Sequence, residues 1–231
     1  MIRALIFDFD GLILDTETPE YQAWQAIFQE YGHHLPLEKW MAVVGSNVET
    51  AGFDPIAYLI SLTGRPLDRE AIQRDLLTRQ MAIIAVQPVL PGVKQHIEAA
   101  RRLGLKLAVA SSSPWRWVTD HLERLGLLAY FDAIRTADHV ERIKPAPDLF
   151  LAACQALEVQ PAEAIAFEDS PNGVSAAKRA GLFVVAVPNP LTRYADLSHA
   201  DLVLESLAAM PLDALLALAQ DGNRPRRPSP Q

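Results

Sequence analysis

Two aspartates one residue apart, Asp8 and Asp10, end the apolar run Ala4-Leu5-Ile6-Phe7 and are followed at once by Gly11. A buried strand that breaks into a loop at its carboxyl end is where an open α/β sheet keeps its ligands. With Phe9 between them pointing the other way, both acids face one crevice. Gly11 lets the next turn fold tightly and bare its amide N–H groups, which can cradle an anion in a backbone nest. Carboxylates for a cation beside amides for an anion point to metal-assisted phosphate chemistry. A lone Asp-x-Asp-Gly is equally compatible with an ordinary turn, so other parts of the chain must decide.

Three further segments bear on that decision. The run Leu107-Ala108-Val109-Ala110 leads into Ser111-Ser112-Ser113-Pro114, which offers hydroxyls and helix N-terminal amides to a phosphate, or simply an N-cap. Lys144 stands in Ile143-Lys144-Pro145-Ala146-Pro147, before a proline-started helix, where in isolation it reads as a solvated lysine. Ile165-Ala166-Phe167 leads to Glu168-Asp169-Ser170, a second acidic pair, and Pro171-Asn172-Gly173 opens the next helix. A capping or salt-bridged pair is the plain alternative there.

These segments need a scaffold that brings them to one edge. After residue 88 short aliphatic runs alternate with helical patterns, the signature of βαβ units on a parallel sheet. The pattern predicts strands at 105–110, 133–136, 164–167, 183–187 and 201–204. Helices are expected at 93–103, 115–125, 147–157 and 173–180. Right-handed crossovers put every strand's carboxyl end on the edge that holds Asp8. Residues 16–87 read differently, as helices at 21–31, 38–44, 55–62 and 69–85 with no strand among them. They are expected to form a helical cap domain inserted into an α/β core made of 1–15 and 88–220, with Pro88 and Pro91-Gly92 marking the return. Such a module sits above the crevice as a lid. The proline- and arginine-rich end, 221–231, is expected to be disordered.

Composition narrows the function classes. The 231 residues are half hydrophobic, enough for one sizeable core. Acidic residues outnumber basic ones 28 to 21 and the sole basic block is Arg224-Pro225-Arg226-Arg227, so no nucleic-acid partner is expected. Cys154 is the single cysteine, which excludes an internal disulfide and a cysteine-rich zinc site; its apolar surroundings make it a small core residue. The opening apolar stretch is too short for a signal peptide and no run has the length of a membrane span. A cytoplasmic monomer, free of membrane, is expected.

Taken together, Asp8-Phe9-Asp10-Gly11-Leu12-Ile13-Leu14-Asp15-Thr16-Glu17, Ser111, Lys144-Pro145-Ala146-Pro147 and Glu168-Asp169-Ser170-Pro171-Asn172-Gly173-Val174, followed by Ala176-Ala177 and Ala180-Gly181, resemble the haloacid dehalogenase superfamily. The likeness is to its phosphatases and sugar phosphomutases with a helical cap after the first strand. It covers nearly everything except the tail. The resemblance implies a flavodoxin-like, Rossmann-like parallel sheet, Mg2+ dependence and an aspartyl-phosphate intermediate on a small phosphorylated metabolite. It makes Asp8 the nucleophile and Asp10 the acid that protonates the leaving oxygen and then activates water. Mg2+ is expected on Asp8, the backbone carbonyl of Asp10 and Asp169, with Glu168 steering. Ser111, the Ser112 amide, the amides of Gly11 and Leu12, and Lys144 are expected to hold the phosphoryl oxygens.

Within that superfamily the second aspartate decides first. Dehalogenases lack it, because an ester to carbon needs no leaving-group acid, so Asp10 argues against dehalogenation. A phosphonatase-type cap lysine has one candidate, Lys39, which beside Trp40 reads as a surface residue. The related mutases carry a cap histidine where this chain aligns Glu20, and a phosphate-binding arginine near Gly45-Ser46-Asn47. Neither is present, which favours hydrolysis of a small monoester over a sugar phosphomutase. A response-regulator-like, non-catalytic phospho-acceptor module needs no helical insertion, and no Gly-x-x-x-x-Gly-Lys loop supports an ATPase. Glu20, Trp24, Asn47 and Arg79 are the cap residues that could face substrate. The pair His33-His34 reads as part of a turn and Trp117 as packing, while Trp115 could border the pocket.

Overall fold

The computed structural model describes residues 1–40 and 53–222. Strand β1, Ala4–Phe7, occupies the middle of a six-stranded sheet with all neighbours parallel. On one side lie β2, Lys106–Ala110, and β3, Ala133–Arg135; on the other β4, Ala164–Glu168, β5, Phe183–Ala186, and β6, Leu202–Val203. The order β3-β2-β1-β4-β5-β6 makes β1 the topological switch point, and the crevice that such a reversal opens lies outside its carboxyl end. Phe7 is in register with Val109 and Phe167, so Asp8 and the last strand residues Ala110 and Glu168 lie side by side at the carboxyl edge.

Side-chain alternation explains the two layers around this sheet. One face of the central strands carries Leu5, Phe7, Leu107, Val109, Ile165 and Phe167. Against it pack Val93–Arg102 (α5), Trp115–Arg124 (α6) and Leu212–Gly222 (α9), through Ile97, Val118, Leu122 and Leu215. The other face is mostly alanine, from Ala4, Ala108, Ala110, Ala164, Ala166 and Ala186. Small side chains let Asp148–Leu157 (α7) and Pro171–Ala180 (α8) approach closely, and α8 answers with Ala176, Ala177 and Ala180. Cys154 lies buried in this second layer, where burial pushes its thiol up to about 11, in keeping with an inert core residue.

Between β1 and β2 the chain is helical: Glu17–Glu30 (α1), Leu37–Trp40 (α2), Pro55–Thr63 (α3) and Arg69–Ile84 (α4). Trp24, Ile27, Phe28, Leu35, Trp40, Ile56, Leu59 and Ile72 form a hydrophobic cluster of their own, joined from the sheet region by Leu191. The two chain crossings at the base run side by side, where the Leu90 amide donates to the Ile13 carbonyl at 2.9 Å.

Several boundaries differ from expectation. β4 extends to Glu168, so the first of the paired acids belongs to the strand and is fully buried. α1 starts at Glu17 rather than 21, and α8 at Pro171, a residue suited to the first helical position with Ser170 as its cap. The strand expected at 201–204 shrinks to Leu202–Val203. Of the helix expected at 38–44, the described part runs Leu37–Trp40, and 41–44 lie outside the described residues. Helix α9 reaches Gly222, so the disorder expected from 221 is corrected there; 223–231 lie outside the described residues.

One buried histidine gives the fold a testable acid response. His96 on α5 is 3% exposed, donates from Nδ1 to the Gly92 carbonyl at 2.9 Å, and packs edge-on against Phe167. Its Nε2 has no hydrogen-bond partner among the described residues. Burial lowers its pKa, while the unfolded chain takes the proton at about 6.5. The folded state therefore resists protonation, and this part of the stability is present above about pH 6.5 and lost as the pH falls below it. In thermal melts the parent should lose more on acidification from pH 7.5 to 5 than His96→Leu does; equal slopes would refute the assignment.

Candidate active site

The carboxyl edge of the sheet gathers the predicted residues from four strand ends. Lys144 reaches in from the loop before α7, and its Nζ lies 2.6 Å from Asp8 Oδ1 and 2.6 Å from Glu168 Oε1. Its side chain is 6% exposed, so the solvated lysine of the isolated reading becomes a buried cation between two carboxylates. The peptide bond from Lys144 to Pro145 is cis. Burial alone would pull this ammonium down, but Asp8 and then Glu168 outweigh it and hold it above the usual lysine range.

Asp8, Glu168 and Asp169 are buried and place ligand oxygens within 4.8 Å of one another. Opposite oxygens on an octahedral Mg2+ are about 4.2 Å apart, so the trio spans what one such cation bridges. Charge supports the same fit, because three carboxylates meet one ammonium. Burial, and after it Glu168, raises Asp8 to about 7. Burial followed by Glu17, Asp8 and Glu168 raises Asp169 well above the carboxylate range. A hard divalent ion fits that surplus of negative charge. The Asp10 carboxylate stands outside the trio, in keeping with a resemblance that enlists only its backbone carbonyl.

Asp10 is instead held by donors from three parts of the chain, the start of α1, the loop after β2 and the first turn of α6. Trp117 Nε1 donates to Oδ1 at 2.8 Å and Thr16 Oγ1 to the same oxygen at 2.9 Å. Ser113 Oγ donates to Oδ2 at 2.6 Å and Ser111 Oγ at 3.3 Å. Sequence reasoning had Trp117 as packing; the correction is that an indole on the first turn of α6 stacks edge-on with His121 and aims its N–H at the loop after β1. Ser111 is fully buried and also accepts from the Ser113 amide at 3.0 Å, while Ser112 is half-buried beside it.

The anion nest expected at Gly11 and Leu12 is partly closed. The Gly11 amide donates to Leu14 at 2.8 Å and the Leu12 amide makes a long 3.4 Å contact with Phe9. The Gly11 amide is thus committed to its own turn, and the cradle is corrected to the less firmly held Leu12 amide and the serine strand end. Gly11 has φ +75°, and a Cβ there would lie 2.5 Å from Asp169 Oδ2 and 2.6 Å from Asn189 Nδ2. A glycine is required by both conformation and space.

Other predicted residues fall into place unevenly. Glu20 is half-buried one turn beyond Glu17 on α1; burial, then Asp10, raises its carboxyl to about 7. Arg79 pairs with Glu30 at 2.6 Å and Asp75 at 2.8 Å, so its guanidinium fastens α4 to α1 and is corrected from substrate contact to helix pairing. Trp24 is buried in the helical cluster. Asn47 lies outside the described residues. Lys39 sits 4.8 Å over the Tyr58 ring, an exposed stacking position, and Trp115 is 42% exposed against His139. Glu17 and Asn189 were missed as a pair: Asn189 Nδ2 donates to Glu17 Oε2 and to Asp169 Oδ2, each at 2.8 Å. The available signal was position, since Val187-Pro188-Asn189-Pro190 leaves the carboxyl end of β5 on the same edge.

Haloacid dehalogenase-like hydrolases match the chain over residues 2–181. YhcW of Bacillus subtilis (strain 168), whose name makes it a candidate phosphatase, is 48% identical over 94% of this chain and 97% of its own. The fructose-1-phosphate phosphatase YqaB of Escherichia coli (strain K12) is 36% identical over 79% of this chain and 95% of its own. Among solved structures, the β-phosphoglucomutase of Clostridium difficile superimposes with a TM-score of 0.74 at 25% identity, covering 96% of this chain and 99% of that one. With a family match spanning most of its length and its acids, lysine and serine gathered at one sheet edge, the chain belongs to the haloacid dehalogenase-like hydrolases.

Proposed function

We propose that this protein is a Mg2+-dependent phosphatase that hydrolyses a small phosphate monoester, such as a sugar phosphate, through an aspartyl phosphate on Asp8. The observation that carries the reading is Lys144, buried at 2.6 Å from both Asp8 and Glu168 with Asp169 beside them. Drawing a phosphate dianion to about 4 Å from a carboxylate costs about 8 kcal/mol at an effective dielectric of 20, and one ammonium offsets about half. A divalent ion held by Asp8, Asp169, Glu168 and the Asp10 carbonyl would neutralise the rest and polarise the phosphoryl group.

The chain's own groups supply the remaining steps. Lys144 favours the ionised form of Asp8, whose oxygen attacks phosphorus without a separate base. Asp10 passes a proton to the leaving oxygen and then takes one from the water that cleaves the acyl phosphate. Ser111, Ser112 and Lys144 hold the transferring oxygens. Helices α1 to α4 act as a cap that excludes bulk water, with Glu20 on its substrate side. Relatives named for fructose 1-phosphate and other phosphorylated carbohydrates support a sugar-phosphate substrate.

Isomerisation of a sugar phosphate is the second reading, favoured by the likeness to the Clostridium difficile mutase. Phosphate release should be measured on a panel of sugar phosphates and other monoesters, with and without Mg2+, beside a coupled assay on β-glucose 1-phosphate. Release that needs Mg2+ and stops with chelator is expected. Isomerisation without release would replace hydrolysis by mutase chemistry, and stoichiometric phosphorylation without turnover would point to a phospho-acceptor module.

A further inference from the structure

Every hydrogen-bonding position of the buried Asn189 side chain is taken. Its Oδ1 accepts from the Leu191 amide at 2.8 Å and the Thr192 amide at 2.9 Å. The backbone amide of Asn189 in turn donates to Thr192 Oγ1 at 2.9 Å. The two protons on Nδ2 go to two different carboxylates, Asp169 Oδ2 and Glu17 Oε2. Rotating the amide by half a turn would set its oxygen against both acids, so the orientation is enforced. Gly11 closes the remaining side, because a Cβ there would stand 2.6 Å from Nδ2.

We infer that Asn189 is a positioning residue whose side-chain amide fixes Asp169 for the divalent cation and ties it to Glu17 on α1. Of the buried trio, Asp8 and Glu168 are already oriented by Lys144, whose Nζ lies within 2.6 Å of each. Among the described residues, Asp169 takes its side-chain hydrogen bond from Asn189. A donor on Oδ2 restrains the turning of the carboxylate, the way an outer partner tunes a ligating carboxylate. The second donor lands on the first turn of α1, so the helical insertion and the cation site share one amide. This assignment rests on the reading that the trio binds a divalent cation.

The test is Mn2+ binding to the substrate-free protein, followed by electron paramagnetic resonance, in the parent and in Asn189→Ser. Serine can still accept from amides two and three residues on and keep the turn, but is too short to reach Asp169. A 10–100-fold weaker Mn2+ affinity is expected, the usual cost of losing an outer-shell partner. In turnover the Mg2+ requirement should rise while kcat at saturating Mg2+ stays near the parent's. Equal Mn2+ affinity in a folded Asn189→Ser would overturn the inference. If that variant does not fold, the side-chain amide protons of Asn189 in the parent answer instead: their NMR signals should shift on adding Mg2+, and stationary signals would overturn it. A parent that binds no Mn2+ would fail the underlying metal reading, an outcome distinct from equal binding.

Discussion

Asp8→Asn is expected to lower turnover by at least about four orders of magnitude, while the protein stays folded and melts close to the parent temperature. A neutral amide is a far weaker nucleophile toward phosphorus than a carboxylate, and the neighbouring acids Glu168 and Asp169 are engaged by Lys144 and Asn189. Folding survives because Lys144 keeps its second partner, Glu168, at 2.6 Å. Charge balance helps as well. The folded chain holds the Asp8 proton up to about pH 7, whereas the unfolded chain releases it at about 4, so at pH 8 the ionised carboxylate weighs against folding in the absence of a cation. A neutral amide removes that burden, which offsets the lost ion pair. Steady-state phosphate release and a thermal melt of the same sample check both halves. Appreciable turnover by a folded Asp8→Asn would remove Asp8 from the nucleophile role.

The contrast between what the sequence disclosed and what it hid follows the range of the interactions involved. The strands were readable because each is a short apolar run between polar loops, and parallel connectivity then sends Asp8, Ser111 and Glu168 to one edge without further information. Lys144 was readable only through resemblance. Its burial depends on Asp8, 136 residues away, and no local pattern separates it from a surface lysine. Trp117 and Asn189 were illegible for the same reason, since an indole on a helix or an asparagine in a proline-rich turn has an ordinary local explanation. Arg79 failed in the opposite direction. A lone arginine facing a presumed crevice invites a substrate, yet Glu30 lies 49 residues earlier in sequence and beside it in space.

Gly173→Ala should damage the same site by steric means, and the competing magnitudes set the sign. In an exposed helix the change would gain about 1 kcal/mol of helix propensity. Here the new Cβ would overlap the Glu168 carboxylate, whose Oε2, Cδ and Oε1 lie 1.9, 2.0 and 2.1 Å from where it would stand. Glu168 is fully buried at the end of β4, with Lys144 on Oε1 and the Asp169 amide on Oε2 at 3.2 Å, so it has little room to retreat. Overpacking a tight site costs about 1–3 kcal/mol, and forcing a buried carboxylate off its cation about 3–5 kcal/mol. Counting only the displaced ion pair against a gain of about 1 kcal/mol, the net loss is already about 2–4 kcal/mol, or about 10 °C in melting temperature for a chain of this size. Activity should fall further than stability, because the displaced Glu168 withdraws both the partner of Lys144 and one member of the cation trio. Gly173→Ser should behave alike, whereas Ala176→Ser on the same helix, away from Glu168, should spare the Mg2+ requirement. A Gly173→Ala protein with parental melting and parental Mg2+ affinity would show that α8 can shift to make room, and that the close approach of helix and carboxylate is not what holds Glu168 in place.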